Sequence, residues 1–591
     1  MKRSLLLAGL AALTPATAPA QTSLVVPATA ASLAVAGQPL AIGSGLTADQ
    51  HSRYRAIFNA IRRSDWTTAQ AGIDALPGGP LTEVARAELI LAKGSPKVSD
   101  DSLSALLASA ADLPQAPELA LIAARRGLAV PPLPLARDLV RFAGPSKRQS
   151  ARALRKDRAA AALAEVAGPL VRGDRPSEAE AIVNARFGDL SPEAQTEWRQ
   201  RVAWAYYLAG DDANALRLAN LARGGAGDWA VQASWVAGLA GWRQRDCAAS
   251  GAAFEEVSAR ARDPEMIAAG LYWASRVDMM CARPERVEAR LRSAARMKES
   301  FYGLLAQAAL GISEEASPNM RLTANDWSAI KTIPNVRRAT ALAEIGEVAL
   351  ADAALRHQAR IGFARDHESL VHLAARLNLP AAQIWLAQNG PSDAQLSASA
   401  RYPMPGWTPA SGWQVDKALV FAHALQESQF KVDATSSAGA RGVMQLMPGT
   451  ARMVARHLGR VIDVGAMAEP AVNIELGQAY LRELADNISS TGGLLPKVIA
   501  AYNAGPNSVA TWNGRGRNLA DPLLFIESIP FAETRAYVAI VLRNYWMYQR
   551  QTGVRTGSLS ALAQGMWPRF PGMPGRDAVR LDAAGATAAA E

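Results

Sequence analysis

The sequence has little with which to hold a metal or to staple a small fold. Its 591 residues include only two cysteines, Cys247 and Cys281, and six scattered histidines. Without a cluster of His, Cys, Asp and Glu at ligand spacing, no metal site is predicted, and no cofactor motif is present. Two cysteines also exclude a disulfide framework; they admit one bridge or two buried thiols, and their spacing decides neither. Beyond the first twenty residues no apolar run approaches the roughly 20 residues of a spanning helix, so no stable membrane anchor is expected. Strand-like alternation is nearly absent, which argues against a sheet-based fold. No basic-aromatic motif is found, which argues against nucleic acid as a partner.

What is present describes an exported, multi-domain helical chain. Hydrophobic residues make up 49% and charged residues 20%, a globular rather than a disordered composition. The length is too great for one core. A net charge of +10 favours anionic partners, although arginines spread over surface helices account for it equally well. Residues 1–20 read as a secretory signal: Lys2 and Arg3 precede the apolar run from Leu5 to Leu13, and Ala18-Pro19-Ala20 offers small residues for cleavage. No cysteine follows directly, so no lipid anchor is expected. Residues 21–46 read as a linker of Ala, Ser, Thr, Pro and Gly.

From residue 47 onward Ala and Leu recur at three- and four-residue spacing, interrupted by Gly and Pro. The segments starting at Trp204, Trp235 and Tyr272 share one outline: an aromatic-rich helix, a turn and an Ala-rich helix, close to a helical-pair repeat. The predicted class is all-α, a solenoid followed by further helical units. Expected bounds are 47–320 for the superhelix, 321–400 for a helical linker domain, 401–555 for a terminal domain and 556–591 for a tail disordered after Pro574. Within the linker domain, Leu342, Ile345, Val348 and Ala349 are expected on one helix face.

The chemistry concentrates between Ala424 and Ala451, in ALQESQFKVDATSSAGARGVMQLMPGTA. Val420, Ala424 and Leu425 recur at helical spacing from Trp413 to Phe430, and Glu427 and Ser428 fall on the same inward face. A carboxylate at the C-terminal end of a helix and partly buried is disfavoured in its ionised form, which suits a general acid. On spacing alone such a glutamate is more often a structural hydrogen-bond partner or an arginine's counter-ion. Gly439 and Gly442 permit close backbone approach, while Ser436, Arg441 and Gln445 offer hydrogen bonds. Pro448 suits the first turn of a helix whose inner face holds Ala451, Val454, Ala455 and Leu458, with Gly459 as its stop. Further on, VIAAYNAGP ends a short helix on Tyr502 and Asn503. FIESIPFAETRAYV places Pro530 at a helix start and Glu533 in the first turn, where a charged carboxylate is favoured.

Glu427-Ser428, the run Gly439 to Pro448, Glu469-Pro470 through Asn473-Ile474 to Gly477 and Tyr480-Leu481, Ala501 to Pro506, and Ile529-Pro530 with Glu533-Thr534-Arg535 and Tyr537-Val538 together resemble the large periplasmic soluble lytic transglycosylases. Their catalytic domain is similar to goose-type lysozyme. The resemblance is strong over about Pro403 to Arg550 and weak upstream. Two departures are visible: Val443 stands where leucine is commoner, and Asn507 where glycine often closes the Ala-Tyr-Asn-Ala-Gly-Pro motif.

The resemblance implies a periplasmic enzyme, carried on a ring-forming superhelix, that cleaves the β-1,4 bond between N-acetylmuramic acid and N-acetylglucosamine in peptidoglycan and leaves 1,6-anhydromuramic ends. It assigns Glu427 as acid and then base. It implies that Ser436, Gln445, Met447 and Tyr502 line the glycan groove, with Tyr502 holding the substrate acetamido group or Glu427 itself. Asn503 either joins them or caps its own turn. Glu533 binds polar groups of the substrate or pairs with Arg535 or Arg441. The implied partner is the glycan strand, with cell-wall synthases as further candidates. A hydrolytic muramidase on the same acid and a non-catalytic peptidoglycan-binding scaffold are the competing readings.

Overall fold

Side-chain caps and glycine stops divide the chain into short helices. Ser191, Asp211, Asp246 and Asp263 each accept a backbone N–H of the helix they precede, which satisfies donors that a helix start otherwise leaves unpaired. In the computed structural model, residues 42–582 are described apart from 44, 313–319 and 515–519. The expected signal segment and most of the expected linker therefore lie outside the described residues. Among those described the protein is all-α, with 27 α-helices. Its two ladders have two residues per strand: Val140–Arg141 against Asn389–Gly390, and Trp567–Pro568 against Ala578–Val579.

The repeated outline corresponds to stacked helical hairpins: Pro192–Ala209 with Asp212–Arg223, Gly227–Arg243 with Cys247–Arg260, and Pro264–Met280 with Val287–Ala295. Trp235, Phe254 and Trp273 interlock between hairpins with ring centroids 5.3–6.2 Å apart. The buried indole of Trp273 donates to Tyr302 Oη at 2.9 Å. Aromatic faces and edges at these separations add to the burial of large apolar surfaces. Cys247 and Cys281 form a disulfide across 34 residues, with Cα atoms 6.0 Å apart. The start of Cys247–Arg260 lies beside the end of Pro264–Met280 because consecutive helices run antiparallel, a proximity that spacing alone left open.

The helices after residue 320 pack on the first helices of the chain. Arg338 pairs with Asp112 at 2.7 Å, and Arg62 pairs with Glu347 at the same distance. Two expectations are corrected here. Leu342 and Ile345 are buried, but Val348 is 38% exposed and Ala349 is exposed, because the helix Pro334–Glu344 stops and Gly346 at φ +84° turns the chain before the next helix. The end of the expected linker is packed: Leu46 is buried, and the Gly45 N–H donates to Glu344 Oε1 at 2.9 Å.

In the C-terminal part the helix Lys417–Glu427 lies against the long helix Ala532–Gln551. Trp546 of the long helix stacks on Phe301 at 5.3 Å, so this part and the solenoid share one apolar cluster. Leu559, Leu562 and Trp567 are buried against it. The disorder expected after Pro574 is corrected in part, since Ala578–Val579 pairs with Trp567–Pro568; residues 583–591 lie outside the described residues.

Candidate active site

Glu427 is the last residue of a helix that is buried on all sides from Ala418 to Ala424. The helix starts at Lys417 rather than Trp413, because Asp416 caps it by accepting from Ala418 N–H, and Tyr545 Oη fixes that cap at 2.6 Å. Its end is fixed too, with Ser428 Oγ donating to the Val443 carbonyl at 2.8 Å. Both termini being pinned, the half-buried carboxyl has little freedom.

Tyr537 Oη donates to Glu427 Oε1 at 2.6 Å. Burial pushes the Glu427 carboxyl up to about 7; the Tyr537 bond works against that rise, and the charge of Glu533 adds to it. No cation offsets the burial among the described residues.

The loop after Phe430 is braced from two sides. Met444 N–H donates to Asn473 Oδ1 at 2.8 Å, and Asn473 Nδ2 donates to the Arg441 carbonyl at 3.1 Å. Gly442 sits at φ +76° directly against Asn473 and the Met467 carbonyl, and a Cβ there would collide with both. Ser436 Oγ accepts from Ala440 N–H at 3.0 Å, closing the turn. Gln445, at φ +47°, donates through Nε2 to the carbonyls of Ala434 and Gly442 at 3.0 and 2.9 Å. Its amide nitrogen is thus committed to the loop. Met447, 44% exposed, stands at the start of the helix Pro448–His457. Ala451, Val454 and Ala455 form that helix's buried face as expected, whereas Leu458 is 39% exposed, because the helix has ended and Gly459 at φ +69° reverses the chain.

The helix Leu495–Ala504 stops at Gly505, whose φ is +84°. Tyr502 Oη donates to the Met444 carbonyl at 2.8 Å, so it holds the loop, and the hydroxyl on Glu427 is Tyr537's. Asn503 does not cap its own turn; its Oδ1 accepts from Thr534 Oγ1 at 2.6 Å, joining two helices. Glu533 is exposed in the first turn of Ala532–Gln551, which begins two residues after Pro530. Among the described residues it forms no ion pair with Arg441 or Arg535. Arg535 instead donates to the Ile529 carbonyl at 2.8 Å and lies 4.5 Å over the Trp204 ring.

Three contributors were given no role in the site from sequence, although Asn473 and Tyr537 fall within the motifs of the resemblance. Tyr537 lies four residues after Glu533 and so shares its helix face, but its partner Glu427 is 110 positions away. Asn473 braces the loop from 32 residues away. His423 lies one turn before Glu427; its Nδ1 bonds to the Leu419 carbonyl at 2.9 Å, and its ring centroid is 4.9 Å from that of Tyr502. Burial holds His423 down to about 4, so the imidazole is neutral at pH 7.

Residues 408–525 match the family model described as Transglycosylase SLT domain. The soluble lytic murein transglycosylase of Escherichia coli (strain K12) is 35% identical over 161 residues, which is 26% of this chain and 24% of that protein. The aligned part thus spans about a quarter of the curated relative's length. The crystal structure of the 70 kDa soluble lytic transglycosylase Slt70 from Escherichia coli superposes with a TM-score of 0.51 at 17% identity, covering 88% of this chain and 99% of that one. An inactive glutamate-to-glutamine mutant of the lytic transglycosylase Slt from Pseudomonas aeruginosa gives 0.52 at 20% identity, covering 85% and 86%. With Glu427 at the end of its buried helix and the braced loop beside it, the chain has in residues 408–525 the sequence character of an SLT domain and, over most of its length, the fold of a large soluble lytic transglycosylase.

Proposed function

We propose that the protein is a peptidoglycan lytic transglycosylase, that residues 401–555 form its catalytic domain, and that Glu427 carries both proton transfers. Protonated Glu427 donates to the glycosidic oxygen as the bond between N-acetylmuramic acid C1 and that oxygen breaks. The resulting carboxylate then takes the proton of the same sugar's C6 hydroxyl as O6 attacks C1. A 1,6-anhydro ring forms, and the acid is restored without consuming water. The 2-acetamido group of the substrate stabilises the oxocarbenium-like species, so a second carboxylate across the ring is not required.

The observation that carries this reading is the half-buried Glu427 carboxyl at the end of its helix, bonded by the Tyr537 phenol and without a cation beside it among the described residues. With its pKa raised to about 7, Glu427 is able to act in either protonation state at physiological pH. The Tyr537 hydroxyl occupies Oε1 and leaves Oε2 as the oxygen for the transferred proton. Exposed Met447 and Glu533 are assigned to contact with the glycan and its polar substituents. Ser436, Gln445, Tyr502 and Asn503 are assigned to shaping the groove through the bonds described above. Residues 47–320 and 321–400 are read as the helical support, and residues 1–20 as an export signal that directs the enzyme to the periplasm, where its polymer lies.

The test compares muropeptides released from peptidoglycan by the chain and by Glu427→Gln. Products one water lighter than reducing muropeptides, absent with the variant, support the reading. Reducing ends that depend on Glu427 would establish hydrolysis instead, and release that does not depend on Glu427 would remove it from the mechanism.

A further inference from the structure

Behind the candidate active site, where the long helix meets the solenoid, lies a cavity of about 420 Å³. That is within the size range of small-ligand sites. One side is formed by Arg535, Ala536, Ala539 and Arg543 of the helix Ala532–Gln551, the element whose Tyr537 holds Glu427. The opposite side is solenoid, with Trp204, Trp229 and Trp235, and the non-helical segment 146–151 crosses between them.

The charges around it do not balance. Arg148 is spent on Glu527, making two bonds at 2.7 and 2.9 Å, and Arg201 on Glu197 at 2.7 Å. Lys147, Arg535 and Arg543 are left with two wall acids, Glu265, on which Arg543 acts, and Glu527, which is bonded to Arg148 and whose charge also reaches Arg535. None of these three cations has a carboxylate partner among the described residues. Arg543 is only 3% exposed and donates to neutral oxygens, the Ser146 carbonyl and Asn544 Oδ1. Arg535 likewise donates to the Ile529 carbonyl, and its guanidinium rests on Trp204. Burying cations without counter-charge is costly unless something else supplies it. Burial pushes Glu265 up to about 7 despite Arg543, which weakens that acid, and lowers Arg535 to about 10. The aromatic walls add flat apolar surface, and the side chains of Gln200 and Gln232 add amide donors and acceptors.

We propose that this cavity binds a short peptide bearing at least two carboxylates, the two guanidinium groups and Lys147 taking the carboxylates and the tryptophans its aliphatic parts. Peptidoglycan stems have this chemistry, so the inference deepens the function proposed above and, for the identity of its natural ligand, rests on that reading. Occupancy would be sensed one helix width from Glu427, through the helix that carries both Arg535 and Tyr537.

The test is calorimetric titration of the full chain carrying Glu427→Gln, which measures binding without turnover and so stands or falls separately from cleavage. The probes are alanyl-glutamyl-lysine, its fully amidated counterpart alanyl-glutaminyl-lysine amide, and inorganic phosphate. The acidic tripeptide is expected to bind one to one, at least tenfold more tightly than the amidated peptide or phosphate. Ala539→Trp, which fills the cavity without removing a charge, is expected to weaken it at least tenfold. Lys147→Glu, at an exposed position, should weaken it at least threefold. Tighter binding of phosphate, equal binding of the amidated peptide, or affinity unchanged in both Ala539→Trp and Lys147→Glu overturns the proposal, as does absence of heat at millimolar tripeptide.

Discussion

Glu256 in the solenoid and Glu427 in the C-terminal part are both shielded glutamates on helices, and they are tuned in opposite directions. Burial works to raise Glu256, but hydrogen bonds from Arg260 and Arg223 and a third from Ser234 hold it below its ordinary value. Burial also works to raise Glu427, where the donor is one neutral phenol and the charge of the like-signed Glu533 adds to the rise, and the carboxyl rises to about 7. At Glu256 the solenoid neutralises the acid with two arginines. The candidate site withholds the cation, keeps a proton within reach of pH 7, and accepts the cost in stability.

Removing the uncompensated acid tests the contrast most sharply. Glu427→Gln is expected to lower kcat by about 10²–10⁴, the usual share of general acid-base catalysis, and to raise the melting temperature. The sign follows from linkage. The folded pKa, about 7, lies above the ordinary 4.5. The folded state therefore binds more protons in that window, and stability falls as pH rises from 4.5 to 7. The variant's advantage should be small at pH 5 and reach on the order of 1–2 kcal/mol at pH 8 after allowance for solvent screening. Calorimetric scans across pH check it, and an advantage that shrinks with pH would reverse the contrast. In the parent protein kcat should fall as pH rises through about 7, as the proton donor is lost.

Gly442→Ala should come next. The added Cβ meets Asn473 and the Met467 carbonyl at φ +76°, so a loss of about 1–3 kcal/mol in stability is expected, with activity down more than tenfold if the loop shapes the groove. Tyr537→Phe removes the one hydrogen bond that the Glu427 carboxyl accepts among the described residues, a bond that lowers its pKa. The alkaline limb of the pH profile should move upward and kcat drop about tenfold, a little under 1.4 kcal/mol; an unmoved limb would detach Tyr537 from the acid. Arg260→Met is the mirror experiment. Glu256 keeps Arg223 but loses its second cation, so solenoid stability should fall by about 1 kcal/mol with kcat unchanged, as hydrogen exchange and assay together would register.

Local patterns are what made the class and the acid legible. Ala and Leu periodicity marks helices because one face of each must be buried. Glu427 falls on the inward face of its helix for the same reason, and a turn-rich stretch after it announces the helix end. Patterns that depend on a single helix continuing failed at Val348, where Gly346 turns the chain first, and at Leu458, which lies just past the end of the helix Pro448–His457 and before the turn at Gly459.

The sequence by itself determined the helical class, the order of the elements and the inward direction of Glu427, because these follow from backbone capping and from spacing within one helix. Only the tertiary structure decided that Tyr537 and not Tyr502 holds the acid, that Asn503 meets Thr534, that Cys247 reaches Cys281, and that Arg535 and Arg543 share a cavity with solenoid tryptophans. Each of these pairings joins residues on different elements, some more than 300 positions apart. Hydrogen bonds and charges act over a few ångströms of space, and no distance along the chain predicts that separation.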